Sequence, residues 1–185
     1  MAQIVGNFQQ LGAQMTQSYK NYIAGEWVAG GSEVENRNPS DLSDVVGLYA
    51  QATSDQLEQA LDQARVAQAE WAATGIEKKY NVLMAIGTEM MARAEELGTL
   101  LSREEGKPLA EGKGEVYRAG QFFTYYAAES LRQMGDTADS TRENIEIDVR
   151  REALGVVGIS SPWNFPTAPA CRKIAPALDC GTAVV

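Results

Sequence analysis

The sequence contains no histidine and only two cysteines among its 185 residues. The missing histidine excludes a Ser-His-Asp triad, a Cys-His dyad and any His-ligated metal site within the chain. The cysteines, Cys171 and Cys180, form no CxxC pair and are too few for a disulfide framework. We therefore expect no metal site, and we expect reduced thiols in a cytoplasmic protein.

Basic residues are also scarce, with 16 Lys and Arg against 25 Asp and Glu, for a net charge of −9. A nucleic-acid surface needs a basic face to neutralise phosphate, and an anionic membrane attracts basic segments. No apolar run approaches a membrane span, and the first residues lack the basic start and apolar core of a signal peptide. The composition therefore predicts neither a nucleic-acid nor a membrane partner.

The amino-terminal part divides into a tail and a β region. Residues 1–18 are rich in Gln and weakly patterned, which predicts a flexible tail. The following stretches "NYIAGEWV" and "NPSDLSDVVG" alternate β-prone runs with Gly and Asn-Pro. This pattern predicts small antiparallel strands joined by turns.

Three helices are predicted next, because apolar residues recur at i+3 and i+4 from Thr53 onward. Thr53 and Gln56 form a candidate capping box for the first helix. The second predicted helix begins at Thr74 and ends at Gly106, where a glycine cap precedes Pro108. The third carries a stripe of five apolar residues: Val116, Ala119, Phe123, Tyr126 and Leu131.

The last part of the chain changes to strand patterns. From Ile145 to Val149 apolar and charged residues alternate, which predicts a projecting strand with one apolar face. Gly155–Ile159 shows no alternation and predicts a strand of a parallel sheet, buried on both faces. A helix from about Thr167 and an apolar strand from Thr182 follow. The order β-turn-α-β indicates an α/β fold whose sheet binds a nucleotide.

Ser160 to Asn164 follow the predicted Gly155–Ile159 strand, and ligands of open parallel sheets bind at that end of a strand. Two prolines stiffen the turn. Trp163 offers a flat apolar face and an indole N–H, and Asn164 offers a neutral amide donor, which suits an oxygen that gains negative charge. The alternative is that Trp163 fills the core and Asn164 merely forms the turn.

The segments "GVVGISSPWNFP" and "KIAPAL" resemble the aldehyde dehydrogenase superfamily, and the likeness extends through "EEGKPLAEGKGEV" and "FFTYYA". The closest group acts on short semialdehydes with a distal carboxylate, such as the α-ketoglutaric semialdehyde dehydrogenases. The resemblance implies the amino-terminal part of that fold, with helices beside an incomplete parallel Rossmann-like sheet. It implies an NAD(P)-binding domain in 19–137 and 155–185, and an oligomerisation hairpin in 138–154 of a homo-oligomer.

The resemblance also implies site roles. Asn164 matches the asparagine of the oxyanion hole, Phe165 matches a residue near the substrate tunnel, and Arg118 is placed to pair with a substrate carboxylate. The alternative for Arg118 is a solvated arginine on a helix surface. The segment expected to lie against NAD or NADP is Ser160, Ser161, Pro162, Trp163 and Asn164.

The family's nucleophilic cysteine and its base glutamate lie beyond Val185, and we expect neither Cys171 nor Cys180 to replace the nucleophile. Arg172 departs from the family pattern and would be costly on a helix face that packs on the sheet, unless it reaches water. Two hypotheses follow. The full-length form oxidises an aldehyde or semialdehyde with NAD(P)+, or the chain is an inactive remnant that acts at most in binding or oligomerisation.

Overall fold

The computed structural model of the protein describes residues 17–185. The described chain is α/β: a small β region, a group of four helices, a projecting hairpin and a β-α-β unit. The first strands are β1 (Ser18–Tyr19), β2 (Asn21–Ile23), β3 (Glu26–Val28), β4 (Ser32–Arg37) and β5 (Val45–Gln51). The helices that follow are α1 (Ser54–Ala72), α2 (Ile76–Ala92), α3 (Ala94–Glu105) and α4 (Leu109–Ser130).

Most of the amino-terminal strands pair as the sequence predicts. β2 and β3 form an antiparallel hairpin, and β4 runs antiparallel to β5. The exception is β1, which lies parallel to β5 on its other side. The turn between β2 and β3 uses Ala24 and Gly25, both with positive φ (53° and 86°), as tight hairpin turns require. Of the predicted tail, residues 1–16 lie outside the described residues, and Ser18 begins β1.

The start of α1 follows the predicted capping box. The Gln56 backbone N–H donates to Thr53 Oγ1 at 3.2 Å, and the Thr53 N–H donates to Gln56 Oε1 at 3.0 Å. The prediction of one continuous second helix is wrong, because the chain breaks at Arg93 between α2 and α3. Its start is also wrong: Gly75 precedes α2, and the Thr74 hydroxyl donates to Glu70 O at the end of α1.

Helix α4 forms the centre of the helical group and packs against α2, α3 and a later helix, α5 (Thr167–Asp179). Two glycines set its distance from α2. A methyl group on Gly87 would lie 2.6 Å from the carbonyl oxygen of Gly120, and one on Gly120 would lie 2.7 Å from that of Gly87. Because α3 packs on α4 as well, the break at Arg93 redirects the chain so that both halves reach the same helix. The central core consists of Leu83, Ala119, Phe123, Ala127, Cys171 and Ala175.

The predicted stop at Gly106 is confirmed, since this residue ends α3 in the left-handed conformation (φ 89°). Pro108 then precedes α4, which begins seven residues before the first apolar residue of the predicted stripe. After α4, the strands β6 (Asp136–Asp139) and β7 (Glu146–Val149) form an antiparallel hairpin whose strand residues are all exposed. The hairpin projects from the helices, as expected, and begins at Asp136.

The β-α-β unit consists of β8 (Val156–Val157), α5 (Thr167–Asp179) and β9 (Ala183–Val184), with the two strands parallel. Backbone hydrogen bonds extend the ladder, from Ala183 N to Gly155 O at 2.9 Å and from Ile159 N to Val185 O at 2.7 Å. The predicted burial of this strand on both faces is wrong. Val156 and Val157 are only half-buried, because a pair of strands is too narrow to be covered on both sides. None of the helices in residues 17–185 is long and apolar enough to cross a membrane.

Candidate active site after strand β8

The turn predicted as a site connects β8 to α5 and holds most of its side chains at the surface. Trp163 is 79% exposed and Phe165 is 47% exposed, and the Asn164 side chain is exposed as well. The alternative in which Trp163 fills the core is therefore wrong. Ser160 and Pro162 are also exposed, so the predicted segment lies on one continuous, accessible turn at the carboxyl end of a parallel strand.

Ser161 differs from its neighbours because its hydroxyl oxygen is buried without a hydrogen-bond partner among the described residues. A buried hydroxyl without a partner costs free energy, and such a group commonly meets a water or a ligand. Two residues further along the same turn, the exposed indole of Trp163 offers a flat apolar face. An unpaired polar atom and a flat apolar face on the same turn suit a planar ligand with polar groups, such as a nicotinamide dinucleotide.

A buried ion pair lies under this turn. Lys107, in the connection between α3 and α4, forms a salt bridge with Glu115 on α4, and their side chains are only 5% and 2% exposed. Lys107 Nζ also donates to the carbonyl oxygen of Asn164 at 3.0 Å and lies 4.0 Å from the centre of the Phe165 ring. The pair therefore contacts both the backbone and a side chain of the predicted site.

Glu115 also binds the start of α5. Its Oε1 accepts the backbone N–H of Thr167 at 2.9 Å and that of Ala168 at 3.0 Å. Helix α5 has no side-chain cap from its own N-cap residue, Pro166, so Glu115 satisfies two N–H groups that would otherwise lack partners. A carboxylate is favoured at this end of the helix because the helix dipole is positive there.

The charges around Lys107 favour its protonated form. Burial alone would lower the pKa of this ammonium, but hydrogen bonds and the charges of Glu115 and Glu105 outweigh it and raise the pKa above its usual value. Glu105 Oε2 lies 3.2 Å from the same Nζ. At the first residue of the predicted segment, the carbonyl oxygen of Ser160 accepts a hydrogen bond from Lys173 Nζ. Lysines thus bind backbone carbonyls near both ends of the exposed segment.

Lys107, Glu115 and Lys173 were not among the site residues predicted from the sequence. One signal was available for Glu115, because it lies four residues before Ala119 and eight before Phe123, on the apolar face of α4. A carboxylate at such a position must find a partner or a helix end.

Arg118 and Arg172 meet on one aromatic ring. The Arg118 guanidinium lies 5.4 Å from the centre of the Phe122 ring, and that of Arg172 lies 5.9 Å from the same centre. Arg118 Nη1 also donates to Gln121 Oε1 at 3.0 Å. Arg172 is exposed and thus avoids the cost expected on a sheet-facing helix side. The guanidinium groups of Arg118 on α4 and Arg172 on α5 therefore lie near the same ring at the surface. Arg172 lies more than one helical turn after the start of α5.

Neither cysteine is placed as a nucleophile. Cys171 belongs to the central core, and burial together with the charge of Glu115 raises the pKa of its thiol to about 11. Cys180 caps the end of α5, and partial burial and the charge of Asp179 raise the pKa of its thiol. A higher pKa leaves less thiolate, which is the reactive form. Within residues 17–185, no group of His, Cys, Asp and Glu is placed to hold a metal ion.

The sequence model of the Aldehyde dehydrogenase family matches residues 27–185, and the chain belongs to this family. The α-ketoglutaric semialdehyde dehydrogenase of Bacillus subtilis is 39% identical over 91% of this chain and 35% of its own length. The α-ketoglutarate semialdehyde dehydrogenase of Haloferax volcanii is 36% identical over 92% of this chain and 36% of its own length. The chain thus spans little more than a third of these relatives.

Solved structures share the fold. An aldehyde dehydrogenase from Brucella melitensis biovar abortus superimposes with a TM-score of 0.87 at 31% identity, over 90% of this chain and 35% of that one. An NADP-dependent glyceraldehyde-3-phosphate dehydrogenase from Bacillus halodurans, complexed with NADP, superimposes with a TM-score of 0.84 at 30% identity, over 92% and 37% of the two chains. The described architecture is therefore that of the amino-terminal part of the family fold.

Proposed function

We propose that this chain supplies the cofactor-binding turn and the oxyanion donor of an NAD(P)+-dependent dehydrogenase that oxidises a semialdehyde to an acid. The observation that carries the proposal is the exposed Asn164 amide at the carboxyl end of β8, on a turn fixed from beneath by Lys107. Addition of a thiolate to an aldehyde turns the carbonyl oxygen into an oxyanion. An amide N–H that is already in place stabilises that charge without titrating.

The cofactor proposal is NAD or NADP. Ser160, Ser161, Pro162 and Trp163 would lie against the dinucleotide together with Asn164, and the unpartnered hydroxyl of Ser161 supports a polar contact there. The bound dinucleotide supplies a hydride acceptor at the nicotinamide ring. The thiolate comes from outside these residues, because Cys171 is in the core and Cys180 caps the far end of α5.

We further propose a substrate with a distal carboxylate. Arg118 has the role that the resemblance implies, and Arg172 adds a second guanidinium on the same Phe122 ring. Guanidinium groups bind carboxylates with two parallel hydrogen bonds. Both α-ketoglutaric semialdehyde dehydrogenase relatives have names that specify such a substrate. Phe165, beside Lys107, would line the path to the aldehyde.

The remaining proposals concern organisation. Residues 19–137 and 155–185 belong to the NAD(P)-binding domain, and 138–154 form an arm through which copies of the protein associate. The exposed apolar side chains of Ile145, Ile147 and Val149 support a role of the arm in contacts between copies. The unpaired cysteines support a reducing cytoplasmic location, and the net negative charge disfavours nucleic-acid and membrane partners.

The test joins residues 1–185 to the part of the B. subtilis relative that follows its matched segment, and measures reduced nicotinamide with α-ketoglutaric semialdehyde. We expect turnover, and we expect Asn164→Ala to lower kcat by about 10²–10³ with little change in cofactor binding. The matched control is Asn81→Ala, which alters an exposed asparagine on α2. Loss of cofactor affinity with intact kcat would contradict the assigned role of Asn164. A folded hybrid that binds cofactor but oxidises no semialdehyde would support the inactive-remnant alternative.

A further inference from the structure

We infer that Lys107 and Glu115 are positioning residues that hold the Asn164 turn in its reactive geometry, and this inference rests on the proposed role of Asn164. The two side chains bind the backbone at Asn164 itself and at the start of α5, directly after the turn. Lys107 Nζ binds the Asn164 carbonyl oxygen at 3.0 Å. Glu115 Oε1 binds the N–H groups of Thr167 and Ala168, three and four residues further on, at 2.9 and 3.0 Å.

The pair connects two parts of the chain that are distant in sequence. Lys107 belongs to the connection after α3 and Glu115 to the buried face of α4. Lys107 binds the turn before α5, and Glu115 binds the first residues of α5. Phe165 lies against the Lys107 ammonium at 4.0 Å, so the side chain after Asn164 is fixed as well. A rotation of the backbone between Asn164 and Ala168 would break at least one of these charged hydrogen bonds.

Stability alone does not account for this arrangement. Moving two charges out of water is costly, and a buried ion pair is often no more stable than apolar residues of the same volume. Geometry is the more specific gain, because a catalytic donor must be held within about 0.5 Å of its productive position. Neither Lys107 nor Glu115 is itself at the surface, with side chains 5% and 2% exposed. Their effect on chemistry must therefore pass through the backbone of the turn.

The experiment uses the 185-residue chain and nuclear magnetic resonance. Lys107→Met keeps the length of the side chain and removes the charge, and Glu115→Gln keeps an acceptor oxygen. The matched control is Lys113→Met, which removes the more exposed ion pair between Lys113 on α4 and Glu95 on α3 (2.6 Å). The readouts are the side-chain amide resonances of Asn164 and the hydrogen exchange of the Thr167 and Ala168 amides.

We expect Lys107→Met to shift and broaden the Asn164 side-chain resonances, while Lys113→Met leaves them unchanged. We expect Glu115→Gln to speed exchange at Thr167 and Ala168 by about tenfold, because a neutral acceptor replaces a charged one. Unchanged Asn164 resonances in a folded Lys107→Met chain would overturn the inference. If Lys107→Met does not fold, unchanged exchange at both amides in Glu115→Gln would overturn it.

These readouts need no turnover, so they are separate from the test of the catalytic role of Asn164. If Asn164→Ala has no effect on kcat while the resonances respond as expected, the pair positions the turn and the proposed function fails. If Asn164→Ala lowers kcat while the resonances of Lys107→Met stay unchanged, the proposed function stands and the positioning role fails.

Discussion

The indole N–H of Trp71 donates to the carbonyl oxygen of Leu178 at 2.7 Å, and it connects the last turn of α1 to the last turn of α5 across 107 positions of sequence. Leu178 O also accepts the N–H of Gly181 at 3.0 Å, where the chain turns into β9. The Leu178 carbonyl oxygen thus accepts one hydrogen bond from α1, which packs on the β-α-β unit, and one from the turn that leads into β9.

Replacing Trp71 by Phe removes the donor and keeps an aromatic ring. We expect Trp71→Phe to lower the free energy of unfolding by about 1 kcal/mol, the usual net value of one hydrogen bond. Urea denaturation followed by circular dichroism measures the change. The control is Trp27→Phe, since Trp27 is 65% exposed and should stay within about 0.5 kcal/mol of the original chain. Equal effects of the two variants would contradict a structural role for this bond.

The crossing of α2 and α4 gives a second prediction. Gly120→Ala should destabilise the chain by about 1–3 kcal/mol, because its methyl group would meet the backbone of Gly87 and the crowded helices would move apart. Gly114 lies on the same helix with nothing within 4 Å of the added methyl group. Gly114→Ala should therefore stabilise the chain by about 0.5–1 kcal/mol. Thermal melts of the two variants measure the change in melting temperature. A change of the same sign in both variants would contradict the close crossing of α2 and α4.

The cysteines differ in access. We expect iodoacetamide to modify Cys180 in the folded chain, slowly at neutral pH because the pKa of this thiol is raised above its ordinary value of 9.0. Cys171 should remain unmodified until the chain unfolds, because it is buried and its thiol has a pKa of about 11. Mass spectrometry with and without urea distinguishes the two sites. Rapid modification of Cys171 in the folded chain would show that it is more accessible than its position in the core allows.

An ion pair between Asp44 and Arg103 joins the β region to helix α3. Arg103 on α3 donates to both carboxylate oxygens of Asp44, at 3.0 and 2.6 Å. The hydrogen bonds from Arg103 and Asn38 lower the pKa of Asp44 from its ordinary value of 3.8 to about 2. A lowered pKa in the folded state means that the contribution is present above pH 3.8 and is lost as the pH falls towards 2.

Melting temperatures between pH 2 and pH 6 test this link. The difference between the original chain and Asp44→Asn should be largest near pH 6 and should decrease below pH 4. Asp62→Asn is the control, because the carboxylate of Asp62 pairs with Arg65 at the exposed surface of α1. A difference that does not depend on pH would mean that the charge of Asp44 is not what matters.

Local signals predicted much of this fold. The capping box at Thr53, the stop at Gly106 and the β-turn-α-β order are each encoded by neighbours in the sequence, and the structure confirms them. The break at Arg93 was not predictable in this way, because no glycine or proline marks it. It depends on α4, against which both α2 and α3 pack, and α4 begins only after both helices are complete.

The candidate site shows the same division. Its exposed turn was predictable from residue types at a strand end. The buried ion pair of Lys107 and Glu115 that holds the turn was not predictable in this way. A lysine and a glutamate eight residues apart are unremarkable in a charged helical region, and only the folded chain brings both beneath Asn164. The meeting of Arg118 and Arg172 on Phe122 likewise depends on how α4 and α5 cross. The burial of β8 was overpredicted because periodicity describes the side chains of a strand and not the number of its neighbours.

The exposed hairpin of β6 and β7 has a thermodynamic consequence. All eight of its strand residues are exposed, so the hairpin can open without uncovering the core formed by α2, α4 and α5. Its opening free energy is then set by its own ladder and loop, and it forms a cooperative unit separate from the helices. Such a unit is only marginally stable by itself. Opening of the hairpin therefore breaks none of the hydrogen bonds by which Lys107 and Glu115 hold the turn that bears Asn164.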